Sequence, residues 1–421
     1  MIVRFAIFIF LISLLATSCA TYQNSSGSRN LNVSFIYNPG STTIHPQYVV
    51  FNETDTSSKI YFSIKSNELM FASNGEISQA NIRVKYMLYK SAKTLTLCDS
   101  ATIFYHINNP NYITDIIKSF EVKVKDTASY FLDLTVYDVN QDRGNQKFLS
   151  IERNKRINRN DALITNLNDI PYFSSLRSDT DTFKVVLRKG ITEKWQISYY
   201  QNKFSLRPAP YSIGNYKFTP PKADSTVTAW IKDTSKFVLK NEGIMHFYQD
   251  TLDLGFSVIR LFPSFPDVTT PGQLLQPLRM LTTQKEFNDM NMLANKKESA
   301  DKFWLTAGGN INRARELIRV FYTRVMLSNL YFSSYTDGWK TDRGLIYIIF
   351  GLPVTIYKAE NIERWIYGTT QSNKTLVFNF TRNDNPFSNN DFILSRDEMY
   401  KISWTQAVDT WRNGRVYSVA Y

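Results

Sequence analysis

Carboxyl side chains in the last third of the chain are the residues whose types and spacing could do chemistry. Asp342 could act with Asp337 or with Glu363 as a pair in which one carboxyl is held protonated and the other is ionised. Such a pair would serve as the general acid and base of a hydrolase. Two carboxylates within one third of a chain are common, so the pattern is a weak indication of catalysis. We assign no catalytic residue from it.

Metal ligands are scarcer than carboxyl pairs. His45, His106 and His246 are far apart, and no two of them have the spacing of metal ligands. His246 is expected to be a packed or surface residue of a strand. The segments Asn383–Pro386 and Asn389–Asp391 offer oxygen ligands without the spacing of a calcium loop, and they are typical of Asx turns. Neither a nucleophile elbow nor a phosphate-binding loop occurs. The sequence therefore predicts no metal and no cofactor.

The elements that would position these carboxyls are organised around one short motif. The run Gly338–Gly344, GWKTDRG, follows a long predicted helix and precedes the apolar run Leu345–Phe350, which we expect to be a strand. Gly338 could supply the left-handed torsion that closes a helix. Trp339 offers a large apolar body that could pack beneath the turn. The motif is thus interpreted as a corner between a helix and a strand.

The polar residues of the motif also have structural roles in this interpretation. Thr341 and Asp342 can bond to nearby backbone amides and hold the turn. Arg343 can pair with Glu363, in a bidentate manner if the two are adjacent. Gly344 would bracket the following strand together with Gly351. A structural role is therefore favoured over catalysis for every residue of the motif.

The motif resembles the signature of the GWxTD-domain proteins of Bacteroidota and related bacteria. The resemblance covers the C-terminal third densely, and the β-rich part before it is similar to these proteins in general layout. Met280, where an aromatic residue is common in the family, is the main departure. The family has no established activity, so the resemblance implies a location and an architecture more than a function. It extends through Leu278–Thr282, Phe303–Leu305, Arg313–Arg324, Glu363–Gly368, Asn385–Phe387 and Trp411–Arg415.

The N-terminus carries the pattern of a secretory signal. Arg4 supplies a positive charge, Phe5–Ala16 is apolar, and small residues precede Cys19. The apolar run is too short for a membrane-spanning helix, which needs about 20 residues. The pattern resembles the signal of a bacterial lipoprotein, which implies that residues 1–18 are removed and that Cys19 carries acyl chains in outer-membrane lipid. The alternative is an ordinary secreted protein cleaved near Cys19. Because no acidic residue closely follows Cys19, we favour the periplasmic face of the outer membrane.

The formal net charge of +12 could indicate binding to nucleic acid. Basic residues are spread along the whole chain, however, without a dense cluster interleaved with aromatic residues. We therefore predict no nucleic-acid partner. In a cell envelope, a basic surface suits anionic lipid headgroups, cell-wall polymer or an acidic protein.

Hydrophobic patterning predicts a chain that is mainly β and is followed by an α+β unit. Residues 19–30 are polar and suit a flexible tether behind the acylated cysteine. Short β-prone runs, of which the first is Leu31–Tyr37, predict two antiparallel β-sandwich-like domains at residues 31–156 and 157–262. Alternation is clear in Phe131–Tyr137.

The remainder of the chain is predicted to be a connector and one further domain. Residues 263–283 are rich in proline and predict an ordered connector without regular structure. Residues 284–421 predict the GWxTD domain, which combines helices with an antiparallel sheet. Its helices are expected at Glu286–Lys302, Asn312–Phe332 and Arg396–Trp411.

These observations predict a non-enzymatic outer-membrane lipoprotein that faces the periplasm. In this hypothesis the β domains serve as spacer and docking surface, and the GWxTD domain binds another envelope protein. The rival hypothesis is a glycan-binding protein or a hydrolase of cell-wall or surface polysaccharide, with Asp342 and Glu363 in a cleft. A buried Asp342 would argue against the hydrolase, and an open pocket lined by carboxylates would favour it. The oligomeric state is left open.

Overall fold

The computed structural model describes residues 32–418 except 76, 91–95, 125–127, 154–155, 192–193, 202–203, 233, 360 and 369–374. The predicted fold class is confirmed: the protein is mainly β with antiparallel sheets, and helices and a further sheet form its C-terminal region. No helix in the described ranges is long and apolar enough to cross a membrane. The predicted signal, Cys19 and the tether lie outside the described residues.

The first β unit is a two-layer sandwich around one hydrophobic core. One sheet has the order β1-β2-β6, and the other is built around β4, which pairs with β3, β5 and β7, while β7 also pairs with β8. In β7 every second residue is buried, as the alternation in the sequence predicts, and Leu132 and Leu134 pack in the same core as Phe62 and Val122 of the opposite sheet. The strands are β1 Gln47–Phe51, β2 Ser57–Lys65, β3 Ala72–Asn74, β4 Ile77–Lys90, β5 Thr96–Asn108, β6 Asp115–Lys123, β7 Ser129–Asp138 and β8 Arg143–Glu152.

The second β unit also has two sheets. The larger has the order β10-β16-β15-β12-β13 and the smaller the order β14-β11-β9, and all pairs are antiparallel except the two-residue pair β10–β16. Phe183 of the smaller sheet shares a core with Trp195 and Phe247 of the larger one. The strands are β9 Ala162–Thr165, β10 Leu176–Arg177, β11 Phe183–Leu187, β12 Lys194–Tyr200, β13 Ser225–Trp230, β14 Lys236–Phe237, β15 Gly243–Tyr248 and β16 Phe256–Arg260.

In the described C-terminal residues, six helices pack against an antiparallel sheet of order β17-β18-β19-β20. Aromatic side chains such as Trp304, Trp365 and Trp411 fill the core between them. The helices are α1 Pro271–Leu275, α2 Gln284–Met292, α3 Lys296–Gly308, α4 Ile311–Phe332, α5 Asp342–Phe350 and α6 Tyr400–Arg412. The strands are β17 Thr355–Lys358, β18 Ile362–Tyr367, β19 Leu376–Arg382 and β20 Phe392–Leu394.

Three predictions about where the helices of the C-terminal part begin and end are wrong. The helix predicted at Glu286–Lys302 is two helices, because Leu293 is extended and the Asn295 side chain caps the start of α3. The connector has regular structure, since Thr270 and Gln273 form a capping box at the start of α1 and a 3-10 turn follows over Gln276–Met280. The last helix begins at Tyr400 rather than Arg396.

Two runs predicted as strands are helical. Leu345–Phe350 lies in α5, in which every residue is buried, so the uninterrupted apolar run reflects a helix enclosed on all sides. The run Leu31–Tyr37 contains a 3-10 turn at Ser34–Tyr37 rather than a strand. This turn leaves the first β unit altogether: Val33 and Tyr37 belong to the C-terminal hydrophobic core.

Candidate functional site

The motif Gly338–Gly344 forms a corner between two helices, not between a helix and a strand. It contains the 3-10 turn Gly338–Lys340, which follows α4, and the first turn of α5. Gly338 is not in the left-handed conformation that we expected. Glycine is required there for a different reason, because a Cβ atom would overlap the carbonyl oxygen of Ser328 in α4.

Thr341 begins α5 and ties the two turns of the motif together. Its Oγ1 accepts a hydrogen bond from the Gly344 amide at 3.1 Å and donates one to the Gly338 carbonyl at 2.7 Å. The backbone of Gly344 lies so close to the Gly338 carbonyl that a Cβ atom on Gly344 would overlap that carbonyl oxygen. The threonine and both glycines are therefore used to pack one tight helical corner.

Trp339 fixes the corner against the helix before it. Its side chain is buried, and its backbone amide donates to Asn329 Oδ1 at 3.3 Å. The Asn329 side chain in turn donates to the carbonyl of Pro266 at 2.9 Å. The motif is thus joined through α4 to the proline-rich connector.

Asp342 is enclosed by protein, with no exposed surface. Its carboxylate accepts from the Leu394 amide at 2.9 Å and from both terminal nitrogens of Arg396. The amide belongs to β20, so the expectation of a nearby turn amide was wrong. Arg396 also donates to the Pro208 carbonyl at 3.0 Å, and its guanidinium lies 4.3 Å from the centre of the Tyr216 ring. The pair connects α5 to the loop between β12 and β13.

Arg343 and Glu363 form a buried ion pair. Arg343 Nη1 lies 3.0 Å from Glu363 Oε1, and both side chains are almost completely buried. The contact is not bidentate, because the other terminal nitrogen of Arg343 donates to the carbonyl and side-chain oxygens of Asn390.

Glu363 is the centre of a larger cluster. Its Oε1 also accepts from Lys358 Nζ at 2.6 Å and from the Tyr37 hydroxyl at 2.8 Å, and its Oε2 accepts from Trp365 Nε1 at 3.1 Å. Burial opposes ionisation of this carboxyl, but the charges of Lys358 and Arg343 outweigh it and lower the pKa of Glu363 to about 2. The cluster therefore contains an ionised carboxylate that two cations share.

This geometry limits what the carboxyls can do chemically. A general acid or base must reach the substrate or a water bound to it. Asp342 and Glu363 have no exposed surface, and basic groups surround each of them. Asp337 is mostly buried and paired with Lys340. The structure does not bring these carboxyls together in an open cleft.

Lys358, Arg396 and Tyr37, which complete the contacts of Asp342 and Glu363, were not among the predicted site residues. The register of the β17–β18 hairpin places Lys358 opposite Glu363, so a correct strand pairing would have found this contact. Arg396 was assigned to a helix, and no local signal connects it with Asp342. Tyr37 lies more than 300 positions from Glu363, and the contact between them comes from tertiary packing alone.

The histidines occupy separate environments. His246 is buried in β15, where burial and the nearby Arg159 lower its pKa to about 4, and its Nδ1 lies 2.9 Å from Ser257 Oγ. His45 lies 3.6 Å from Glu68, and His106 contacts Asn81. Within the part of the chain that the structure describes, no group of three His, Cys, Asp or Glu residues could hold a metal ion.

The polar segment before β20 forms an Asx turn. Asn385 Oδ1 accepts from the amides of Phe387 and Ser388 at 3.0 and 2.8 Å. Asn383 donates to the buried Asp391 carboxylate at 2.7 Å. These oxygens are used in holding the segment against the rest of the domain.

Residues 243–413 match the family model of the GWxTD domain, and this part of the chain is a GWxTD domain. The matched residues include Asp342 with its partner Arg396 and Glu363 with its partners Arg343 and Lys358, but not Tyr37. They also include β15, β16 and the connector. The comparison with curated proteins gives no match.

The chain has distant similarity to several solved structures. The chain is similar to a β-glucuronidase of Bacteroides uniformis, at 7% identity over 33% of this chain and 14% of that one with a TM-score of 0.18. It is similar to a putative β-galactosidase of Bacteroides fragilis, at 12% identity over 32% of this chain and 19% of that one with a TM-score of 0.18. It is also similar to CBD12 from CALX1.2, at 10% identity over 60% of this chain and 93% of that one with a TM-score of 0.13. The chain thus spans less than a fifth of each of the two glycosidases, and none of these similarities indicates a function.

Proposed function

We propose that this protein is a non-enzymatic lipoprotein of the cell envelope, held by an acylated Cys19 at the periplasmic face of the outer membrane, and that it acts by binding other proteins. One observation carries the proposal. The polar groups of the GWxTD motif are used in buried contacts within the protein, and Asp342 and Glu363 are paired rather than free for proton transfer. A structural role for the motif fits a scaffold better than an enzyme.

The path of the chain near its N-terminus supports this arrangement. The Val33 amide donates to the Ile356 carbonyl at 2.9 Å, and the Asn32 side chain donates to the Val354 carbonyl and accepts from the Ile356 amide, on either side of Thr355 at the start of β17. A flexible tether of the length of residues 19–30 spans about 20 Å on average. An anchor at Cys19 would therefore hold the GWxTD domain close to the membrane.

Exposed arginines on α4 provide contacts for an acidic partner. Arg313 and Arg315 are exposed, and neither guanidinium contacts an acidic side chain among the described residues. Arg319 lies on the same side of α4 as Arg315 and is already paired with Glu316 at 2.7 Å, whereas Arg313 lies about 200° around the helix from Arg315. Charge complementarity with these arginines would select an acidic protein and steer its approach.

The experiment is affinity purification of tagged full-length protein from solubilised membranes of its own host. We expect a partner at constant stoichiometry that is lost from the double variant R313E/R315E. The matched control is K123E, which reverses one exposed charge in β6, far along the chain from α4, and should keep the partner. Failure to recover a stoichiometric partner, or equal loss from the control, would contradict the binding role.

The anchor is tested separately by fractionation. The Cys19→Ser variant should leave the outer-membrane fraction, because no acyl chain can then be attached. An unchanged distribution would contradict lipidation.

The rival hydrolase hypothesis is tested by incubating the protein with purified peptidoglycan and surface polysaccharide. We expect no release of soluble fragments, and sustained release would favour the rival.

A further inference from the structure

A cavity of about 520 Å³ lies where the three structured parts of the chain meet. Tyr48 of β1 and Lys147 of β8 line it from the first sandwich, and Arg159 lines it from the second β unit. Lys358 and Arg382 line it from the GWxTD domain. Its volume lies within the range of about 300–1,000 Å³ that is usual for small-molecule sites.

The charge of the lining is of one sign. Four cationic side chains, Lys147, Arg159, Lys358 and Arg382, line the cavity, and none of the described residues that line it is Asp or Glu. Carboxylates do lie behind this lining. Glu363, however, is shared between Lys358 and Arg343.

Two further carboxylates line a neighbouring cavity. Asp384 contacts Arg382 at 3.3 Å, but its side chain is mostly exposed to solvent. Glu152 and Asp384 line a smaller cavity that shares Arg159 and Arg382 with the first one, and their charges offset part of that of Arg159. The cavity between the three units therefore keeps an excess of positive charge.

Lys147 is the cation with the least compensation. It has no hydrogen bond or ion pair with any described residue, and it is exposed to solvent where it lines the cavity. The nearby protein, which limits solvation of the ammonium, lowers the pKa of Lys147 to about 8; the charge of Lys358 acts in the same direction and that of Glu363 opposes it. A lysine held in this way gains from an anion beside it.

We propose that this cavity binds a small molecule that carries at least two anionic groups, carboxylate or phosphate, with Lys147 and Arg159 donating to them. The volume is too small for a folded macromolecule, and the positive lining excludes a metal cation as the ligand. The lining amides of Asn160 and Asn390 and the hydroxyls of Ser174 and Ser175 suit a ligand that also has polar neutral groups. Because the cavity wall comes from all three units, binding would hold these units together.

The experiment is calorimetric titration of the mature chain with three probes of known charge, namely inorganic pyrophosphate, citrate and trigalacturonate. Neutral maltotriose is the uncharged comparison. Pyrophosphate against the two carboxylates distinguishes a phosphate-bearing from a carboxylate-bearing ligand. We expect at least one anion to bind at least about tenfold more tightly than maltotriose and to raise the melting temperature.

Variants locate the binding. Lys147→Gln should weaken the best anion by about tenfold or more, because it removes a charge-assisted hydrogen bond. Lys123→Gln removes an exposed lysine outside the cavity and should leave the affinity unchanged. Lys147 has no partner to lose, so its variant is expected to fold, and a circular-dichroism melt verifies this. Binding that is absent for all three anions, equal for maltotriose, or equally weakened by the two variants would overturn the proposal.

Discussion

Asp342 and Glu363 are both acids of the GWxTD domain without exposed surface, yet they connect different parts of the molecule. Asp342 bonds to Arg396, which reaches the Pro208 carbonyl of the second β unit. Glu363 bonds to Arg343 within the domain and to the hydroxyl of Tyr37 near the chain's start. Each carboxylate compensates buried cations, so removal of either would leave a positive charge without a partner.

Asp342→Ala is expected to lower the free energy of unfolding by about 3–5 kcal/mol, since it leaves the buried Arg396 guanidinium unpaired. The measurement is urea denaturation followed by tryptophan fluorescence. The control is Glu316→Ala, which breaks the exposed ion pair with Arg319 and should change stability little. Equal effects of the two substitutions would show that the buried pair has no special role.

Lys147→Met is expected to stabilise the protein slightly at neutral pH, because desolvation and the charge of Lys358 lower the pKa of the Lys147 ammonium to about 8, while its exposure to solvent limits the gain. The unfolded chain holds this proton more tightly than the folded chain does. Stability of the wild type should therefore rise as the pH increases from about 8 towards 10.5. The difference between variant and wild type should be largest near pH 7 and should narrow as the pH approaches 10.

That comparison is made by urea denaturation at a series of pH values. A variant less stable than the wild type at pH 7, or a difference independent of pH, would contradict the interpretation. A stabilising substitution in a cavity wall would also agree with a lysine kept for ligand binding at the expense of stability.

At the scale of residues, the sequence could suggest pairs between neighbouring motifs but not between distant ones. Glu363 was named as a carboxylate that could pair with Arg343, and the structure has their atoms 3.0 Å apart. Nothing in the sequence brings Tyr37 or Arg396 to these carboxylates. Such contacts depend on how whole units pack, and no short-range pattern records them.

At the scale of elements, α5 shows why an apolar run can be misassigned. Leu345–Phe350 has no polar residue, so it lacks the amphipathic period of a surface helix and looks like a buried strand. Two local signals did indicate a helix. Thr341 is a favourable N-cap, and Gly351, with a φ of +86°, follows the last helical residue.

Thr341→Ala is expected to destabilise the protein by about 0.5–2 kcal/mol, because it removes the hydroxyl that caps α5. Thr341→Ser keeps that hydroxyl and should retain most of the stability. Thermal unfolding of both variants beside the wild type measures the effect. A serine variant as unstable as the alanine variant would indicate that the methyl group, not the cap, is what matters.

The strands of the first sandwich could be predicted because their patterning is strictly periodic. In β7 the buried side chains alternate with partly exposed ones, and one face of the strand meets the core. The helix predicted across α2 and α3 failed for the opposite reason. The apolar stripe continues through the break, while the extended Leu293 and the cap at Asn295 divide the element.

At the scale of the whole molecule, the start of the described chain is packed into its C-terminal domain. The Tyr37 ring lies 4.8 Å from the ring of Phe332 and 5.8 Å from that of Trp365. This placement could not be predicted, because residues 33–37 are separated from their partners by about 300 positions. It means that the GWxTD domain is completed by a segment that the family match does not contain.

A chain that begins at Thr42 is therefore expected to have a less stable GWxTD domain than one that begins at Leu31. Burial of the Val33 and Tyr37 side chains contributes roughly 1.5–3 kcal/mol each, and the deletion also removes a hydrogen bond to Glu363. Trp365 lies beside Tyr37, so tryptophan fluorescence during urea denaturation reports the loss. A point variant avoids deletion: Tyr37→Ala should lower the urea midpoint, whereas Phe35→Ala, on the exposed side of the same turn, should change it little. Equal midpoints for the two chains, or equal effects of the two point variants, would mean that the N-terminal segment rests on the domain without stabilising it.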